Sequence, residues 1–600
     1  MRKTAQFIKS LFRVIRFCWT YSQKVVGGQI WLISFYNIYL NIHPLINAYF
    51  IKLIIDALTR INSLGVPLVT RYVAIILLLH FLVDSWDQFA FRHHLILTRI
   101  LREKLPSTIE IDLAYKHASL PITVVEDSQF KDEYVLVKRE SRFRISPIVD
   151  QAVGLIAAVI SWIIASAVII KFNPFYWLIL LLTLFPRLLG LKPAVKKSLT
   201  VASNSAKFSR KRDIYLNYLE SGRGSCEGRI LGIKTLVKKQ LEKIQEITIG
   251  MFEKTEHELL KLRLANAVLP MVGVFSISYL LLRRIIKGLF TIGDWQLALS
   301  TCLRFVDYSK DAIDRGGQLQ ESSVYIDKLI SVLNHQGEAS RGKKALIDKI
   351  NSIEFKNVSF QYPNVKKLVL ENVSFKVNPN ENIAIVGHNG AGKTTLVKLL
   401  CRFYIPRSGQ ILVNGINIEK FNIYSYWRLI SALFQDFETY GISAWESIGY
   451  GDIDRISKRK AIRKAARLTG IDKYLSCLPQ GYDTSLIREL EGGVDLSIGQ
   501  WQKVALARAL FRKSKMIILD EPTSNMDPES EEEVFNKLVR VVKNRVMFLI
   551  SHRFSTVKRA DRIIVLESGR VIEEGNHKEL MEKNGLYARL FRIQSESYKE

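Results

Sequence analysis

Two stretches of this chain place residue types where phosphate chemistry can be done. The first is Gly387-His388-Asn389-Gly390-Ala391-Gly392-Lys393-Thr394, a G-x-x-x-x-G-K-T pattern that follows the apolar run NIAIVG. Glycines at this spacing let backbone N–H groups curl around β- and γ-phosphates at the start of a helix. Lys393 adds a point charge for the same phosphates, and the Thr394 hydroxyl suits Mg²⁺; Thr395 is counted in the same loop. The second stretch is Asp520-Glu521, at the end of the apolar run Met516-Ile-Ile-Leu519. Asp520 is placed to bind the magnesium shell and Glu521 to orient and polarise an attacking water. Each stretch also has a plain reading, a glycine-rich turn or a strand ending in acids. Together, each behind a buried-strand pattern, they favour hydrolysis of a nucleoside triphosphate by an α/β domain.

Between these motifs lies Leu496-Ser497-Ile498-Gly499-Gln500, followed by the helix-like WQKVALARALF. The set, in this order, resembles the ATPase domain of ABC transporters, whose signature is usually LSGGQ, and the resemblance covers nearly the whole chain. It implies ATP and Mg²⁺ as ligands. It also implies that Tyr362 stacks on adenine and that Gln435 contacts Mg²⁺ and water while sensing the membrane domain. Asp527, in SNMD, resembles the aspartate that crosses the dimer interface. His552, after VMFLI, resembles the switch histidine at the γ-phosphate. Ser497, Gly499 and Gln500 would face the ATP of a partner copy. Ile498 departs from the usual glycine; activity is expected to survive, with altered ATP affinity. The family sandwiches each ATP between the loop of one copy and the signature of the other, so two copies are needed. With Glu521 and His552 intact, a homodimer with two working sites is the simplest assembly.

The elements that must position this chemistry belong to a long, uneven chain. Its 600 residues exceed a single core. Hydrophobic residues reach 48% although 24% are charged, because the apolar stretches gather in the first half. The net charge of +29 would suit nucleic acid, but the basic residues flank apolar spans. The positive-inside rule and contact with anionic lipid account for them, so no nucleic-acid partner is expected. Five scattered cysteines form no metal or disulfide pattern. Residues 1–26, basic and partly apolar, read as an amphipathic segment on the membrane surface rather than a signal peptide.

A membrane crossing takes about 20 mostly apolar residues. Ala152–Ile170 is the clearest candidate, followed by Phe175–Leu189, Leu264–Leu282, Trp31–Ile55 and Tyr72–Phe89, with a weak sixth between Lys287 and Asp307. With the N-terminus inside, the two long basic intervals, about 96–146 and 191–261, fall in the cytoplasm, and a sixth span is needed to bring the ATPase domain there. The expected fold is therefore an α-helical polytopic membrane domain of six transmembrane helices plus an α/β P-loop NTPase domain of ABC type. The boundaries are 27–334 for the membrane domain, 335–349 for a linker and 350–600 for the nucleotide-binding domain. Arg283, Arg284 and Lys287 sit on the expected outer side against the charge bias, which argues for a different end to the fifth span. Asn37, Asn41, His43, Asp84, Asp87, Gln296, Ser300 and Arg304 are polar residues within spans, either cavity-lining or bonding helix to helix. Segments near Glu126–Tyr134 and Glu220–Gly232 resemble the coupling helices of exporters.

Membrane-then-ATPase fusion resembles ABC exporters rather than importers. FQDFETYGISAWESIGYGDI and LSIGQWQKVALARAL resemble the bacterial group that exports modified peptides, such as lantibiotic and lasso-peptide exporters. The expected activity is ATP-driven export of a small modified peptide across the bacterial cytoplasmic membrane, both termini cytoplasmic. With about 25 residues before the first span, no peptidase domain is expected ahead of it. A lipid or multidrug exporter is the alternative; an ABC ATPase acting on nucleic acid is disfavoured by the spans.

Overall fold

A computed structural model describes residues 2–61, 65–220, 222–337, 349–363, 365–524, 526, 528–542 and 544–596. Asp527 and most of the expected linker lie outside the described residues. The chain divides into two compact units: Met1–Lys116 with Asp132–Asn334, and His117–Lys131 with His335–Glu600.

The first unit is helical. Its elements are α1 (Arg2–Val26), α2 (Gln29–Thr59), α3 (Val66–Ala118), α5 (Ser128–Phe172), α6 (Pro174–Thr183), α7 (Phe185–Glu220), α8 (Gly222–Ile230), α9 (Lys234–Ile286) and α10 (Ile292–Asn334); α4 (Ile122–Val125) belongs to the other unit. Among the described residues, α2, α3, α5 and α9 are long and apolar enough to cross a membrane. The expected fourth span is divided. α6 starts on Asn173, whose side chain accepts from the Phe175 N–H at 2.9 Å, with Pro174 opening the helix, and it stops before Leu184. Its 10 residues fall short of a full crossing by themselves.

The expected sixth span lies in α10, and its weak hydropathy has a packing cause. Leu297, Thr301, Phe305 and Tyr308 are buried against α2 and α9 neighbours, so polar positions facing the bundle are tolerated. Thr301 and Ser309 donate to the carbonyls of Leu297 (2.7 Å) and Phe305 (2.6 Å) one turn back. Asn37 and Asn41 behave alike, donating to Ile33 and Asn37 carbonyls at 3.0 and 2.8 Å. Gln296 donates to Ser300 at 3.2 Å, and Arg304 pairs with Asp307 at 3.8 Å. α9 continues to Ile286, so Arg283 and Arg284 close its last turn, where cations suit the carbonyl end of the helix dipole. The Arg284 guanidinium also lies 5.7 Å from the Tyr176 ring.

The second unit is α/β. An antiparallel sheet, order β2-β1-β4-β5, comprises β1 (Ile353–Phe360), β2 (Leu370–Val377), β4 (Ser408–Val413) and β5 (Ile416–Asn417). A second sheet has the order β10-β9-β3-β8-β7-β6. Its members are β3 (Asn382–Val386), β6 (Ile430–Leu433), β7 (Met516–Asp520), β8 (Val546–Ile550), β9 (Arg562–Glu567) and β10 (Arg570–Gly575). β3, β7 and β8 are almost continuously apolar and buried because they are covered on both faces. α4 is part of this unit: Ile122 packs on the core shared by β1 and α11 (Lys393–Leu400), and the Tyr404 hydroxyl donates to Glu126. This segment starts four residues earlier than the expected Glu126–Tyr134.

Candidate functional site

Strand order gathers the chemistry. β8 lies between β3 and β7, parallel to both, so the ends of three strands distant in sequence share one edge. The loop 387–394 leaves β3, Asp520 ends β7, and His552 follows β8 by two residues. Ligand sites of open α/β sheets form at such carboxyl ends.

The loop is shaped for close backbone approach. Gly387 has φ +152°, and a Cβ there would fall 2.1 Å from the Leu566 carbonyl oxygen. Gly392, at φ +103°, is the residue from which α11 starts, and a Cβ would meet Leu370 at 2.6 Å. His388, Asn389 and Gly390 form the exposed crest, while Ala391 and Thr395 are buried. Lys393 is buried and donates to the carbonyls of Gly387 at 2.8 Å and His388 at 3.0 Å. Burial holds its pKa below the usual lysine range, opposed by the nearby Glu521 and Asp520. An ammonium parked on its own loop's carbonyls is ready to transfer to phosphate oxygens.

Thr394 donates to Asp520 at 3.3 Å. Desolvation is the main reason the Asp520 pKa is pushed up to about 6, with Glu521 and Asp436 adding to it and Thr394 and Lys393 opposing. This corner fits Mg²⁺: it offers hard oxygen donors, and a divalent cation would relieve the cost of the buried carboxylate.

Glu521 stands between two side chains. Gln435 donates to it at 3.2 Å, and His552 Nε2 lies 3.3 Å away on its other oxygen. Burial, then Lys393, lowers the His552 pKa, against the pull of Glu521. Glu521 is a non-glycine residue at φ +51°, a conformation held by its N–H bond to the Ile550 carbonyl at 2.8 Å. Gln502, buried in α12 (Ile498–Phe511), donates to the Glu521 carbonyl at 2.9 Å and to Ser524 at 3.0 Å. Gln502 is not among the residues expected from the sequence, where its one signal is a polar residue on the apolar face of a helix. Nor is Arg553, which joins Glu531 to the carbonyls of Ser524 (3.1 Å) and Met526 (3.3 Å).

The remaining expected residues lie apart. The Tyr362 hydroxyl bonds Thr395 at 3.1 Å, and its ring meets those of Phe360 and Tyr404 edge-on at 5.0 and 5.2 Å. Ser497 caps α12, exchanging bonds with Gln500 at 3.3 and 2.8 Å, with Gly499 in the first turn and Ile498 63% exposed. Among the described residues no hydrogen bond joins this turn to the phosphate loop of the same chain.

Comparison with known proteins agrees with this geometry. The profile of the ABC transporter family matches residues 370–524. The subtilin transport ATP-binding protein SpaT of Bacillus subtilis is 30% identical over 488 residues, 80% of this chain and 78% of that protein. The ATP-dependent lipid A-core flippase of Coxiella burnetii is 39% identical over 276 residues, 46% of either chain. That of Burkholderia orbicola is 36% identical over 306 residues, 51% of this chain and 50% of that one. The match thus spans about half the length of these flippases. In fold, the structure of a bacterial Atm1-family ABC exporter with ATP bound superposes with a TM-score of 0.77 at 22% identity, over 95% of this chain and 98% of that one.

Proposed function

The chain belongs to the ABC transporter family, and from that premise we propose that two copies form a homodimer exporting a small modified peptide across a bacterial cytoplasmic membrane. The chain is an ABC exporter with fused membrane and ATPase parts, coupling ATP hydrolysis to transport. The observation that carries the peptide reading is the extent of the subtilin-transporter match, which covers 80% of the chain and so enters the helical unit. The flippase matches favour a lipid as the second reading.

In this reading residues 27–334 form a six-span membrane domain after a surface segment, 1–26. Residues 350–600 form the ATPase domain after a linker, 335–349, with both termini cytoplasmic. Lys393 and the loop N–H groups hold the β- and γ-phosphates, and Tyr362 supports adenine. Thr394, Asp520 and Gln435 would hold Mg²⁺, which supplies charge neutralisation on the transferring phosphoryl group. Glu521, oriented by Gln435 and His552, accepts a proton from the attacking water. The signature turn has its side chains satisfied locally and Ile498 facing outward, which suits a second copy closing over the nucleotide. Asp527 would cross that interface.

The test is ATPase stimulation of the full chain in nanodiscs, comparing lanthionine-containing or other cyclic peptides, lipid A and apolar drugs. Stimulation by peptides is expected. Stimulation by lipid A or drugs without any by peptides overturns the peptide reading.

A further inference from the structure

Of the ten histidines in the chain, five lie on α2 and α3, two of the helices apolar enough to cross the bilayer: His43, His80, His93, His94 and, at the end of α3, His117. His43 is buried at 8% exposure midway along α2 and faces α3 with both ring nitrogens. Its Nε2 lies at hydrogen-bond distance, 3.1 Å, from one oxygen of Asp84, and its Nδ1 lies 3.2 Å from Asp87 Oδ1, an ion-pair distance without hydrogen-bond alignment that leaves this buried oxygen with no hydrogen-bond partner. The second Asp84 oxygen is 3.4 Å from His80 Nε2, which also lies 2.5 Å from Asn47. His80, Asp84 and Asp87, at i, i+4 and i+7, share one face of α3. The other groups nearby are engaged elsewhere. Tyr39, its ring 5.9 Å from His43, donates to the Val83 carbonyl at 3.3 Å. On α10, which packs on α2, Tyr308 donates to the Asn41 carbonyl, and Arg304 and Asp307 pair with each other.

Proton inventory decides what this cluster holds. A neutral imidazole has one N–H and one lone pair, and a carboxylate only accepts. With a carboxylate oxygen within 3.2 Å of each nitrogen, a neutral ring has an N–H for only one of them, and the buried Asp87 oxygen is left without a donor. One further proton on the ring would give each nitrogen an N–H to offer its carboxylate. Charge balance points the same way, since one proton halves the net charge of two carboxylates inside the bilayer, where uncompensated charge is costly.

We propose that the seam between α2 and α3 is a proton-binding site, in which the imidazolium of His43 bridges Asp84 and Asp87 and is loaded and emptied during the transport cycle. The proton is held by side chains that two helices turn to each other. Any step that parts α2 from α3 returns the three groups to separate surroundings and weakens their hold on it, so helix movement and proton binding are linked reciprocally. Asp84, 46% exposed on its outer side, gives a path for exchange. Further along α3, His93 meets the Tyr36 hydroxyl at 3.1 Å, and His94 lies in the field of Asp150 and Arg102, which pair at 2.5 Å. Protonatable groups therefore continue from the cluster along the same two helices to a charged end. Polar residues that merely fasten helices together would show the same contacts but keep one protonation state throughout.

The experiment is magic-angle-spinning NMR of the full chain, ¹⁵N-labelled at histidine, in proteoliposomes at pH 7.5, with the His43 signal assigned by its loss in His43→Gln. In one of two conditions, nucleotide-free or trapped with ATP and orthovanadate, the ring should carry hydrogens on both nitrogens; in the other it should carry one. The joint variant Asp84→Asn, Asp87→Asn should leave the ring singly protonated in both. A ring that is neutral in both conditions with native aspartates overturns the site, and one doubly protonated in both overturns its cycling. The nucleotide comparison uses the native cluster and does not depend on how the aspartate variants fold.

Discussion

The two units of this chain handle polar side chains in opposite ways. In the α/β unit, Lys393, Asp520, Glu521 and His552 follow or end three different strands and converge on one sheet edge, where their charges act on one another. In the helical unit, Asn37, Asn41, Thr301 and Ser309 spend their donors on carbonyls of their own helix. A parallel sheet concentrates groups because every strand ends on the same side, whereas a bundle spreads them along its length. Catalysis therefore falls to the sheet. In the bundle, the cluster at His43, Asp84 and Asp87 is a place where titratable side chains of two apolar helices, α2 and α3, meet each other instead.

Changes at the sheet edge should remove chemistry without unfolding. Glu521→Gln keeps the shape and should lower ATP turnover by about 100-fold or more while leaving ATP binding; phosphate release and nucleotide binding measured together check this, and near-normal turnover would exclude Glu521 as the base. Gln502→Leu leaves the buried Glu521 carbonyl without its donor. It should cost about 1–3 kcal/mol of stability, seen as a lower midpoint in denaturant, and reduce turnover by disturbing the strained backbone there.

A third prediction concerns acid. The Asp520 pKa, raised to about 6, lies above its unfolded value of about 3.9. In the metal-free chain its contribution to stability is thus present below about 3.9 and lost as pH rises through about 6. Mg²⁺ competes with the same proton, so the Mg²⁺ needed for half-maximal ATP hydrolysis should rise as pH falls below about 6, approaching about tenfold per unit. Asp520→Asn should flatten that dependence.

Smaller effects should appear away from the edge. Tyr404→Phe removes the donor to Glu126 while keeping the ring beside Tyr362. Amide exchange over Ile122–Glu126 should quicken by about tenfold, the loss of about 1.4 kcal/mol, with basal hydrolysis unchanged. Thr301→Val deletes only a bond to its own helix, and the thermal midpoint should move by less than about 1 kcal/mol equivalent. A large loss of transport in that variant would blur the contrast between the units.

Much of the site was legible because its motifs are contiguous: a phosphate loop needs glycines and a lysine at fixed spacing, and Asp520-Glu521 needs a buried strand before it. Gln502 was not legible, since its partner is a backbone carbonyl brought close only when α12 packs under β7. Nor was the start of α4, because Ile122 is recognised by the surface it covers and not by its own type. The division of the fourth expected span at Thr183–Phe185 escaped a hydropathy reading, which registers apolar content but not a helix break.

The sequence by itself determined the family, the chemistry and the order of membrane and ATPase parts, because these are written in local spacing and composition. Tertiary structure alone decided which distant groups share a field. Strand order 8-7-6 set Glu521 between His552 and Gln435, and the side chains that α2 and α3 turn to each other placed His43 beside two carboxylates. The physical reason is that spacing along a chain fixes which face of an element a residue occupies, while the charge it meets depends on what the other element brings to that face.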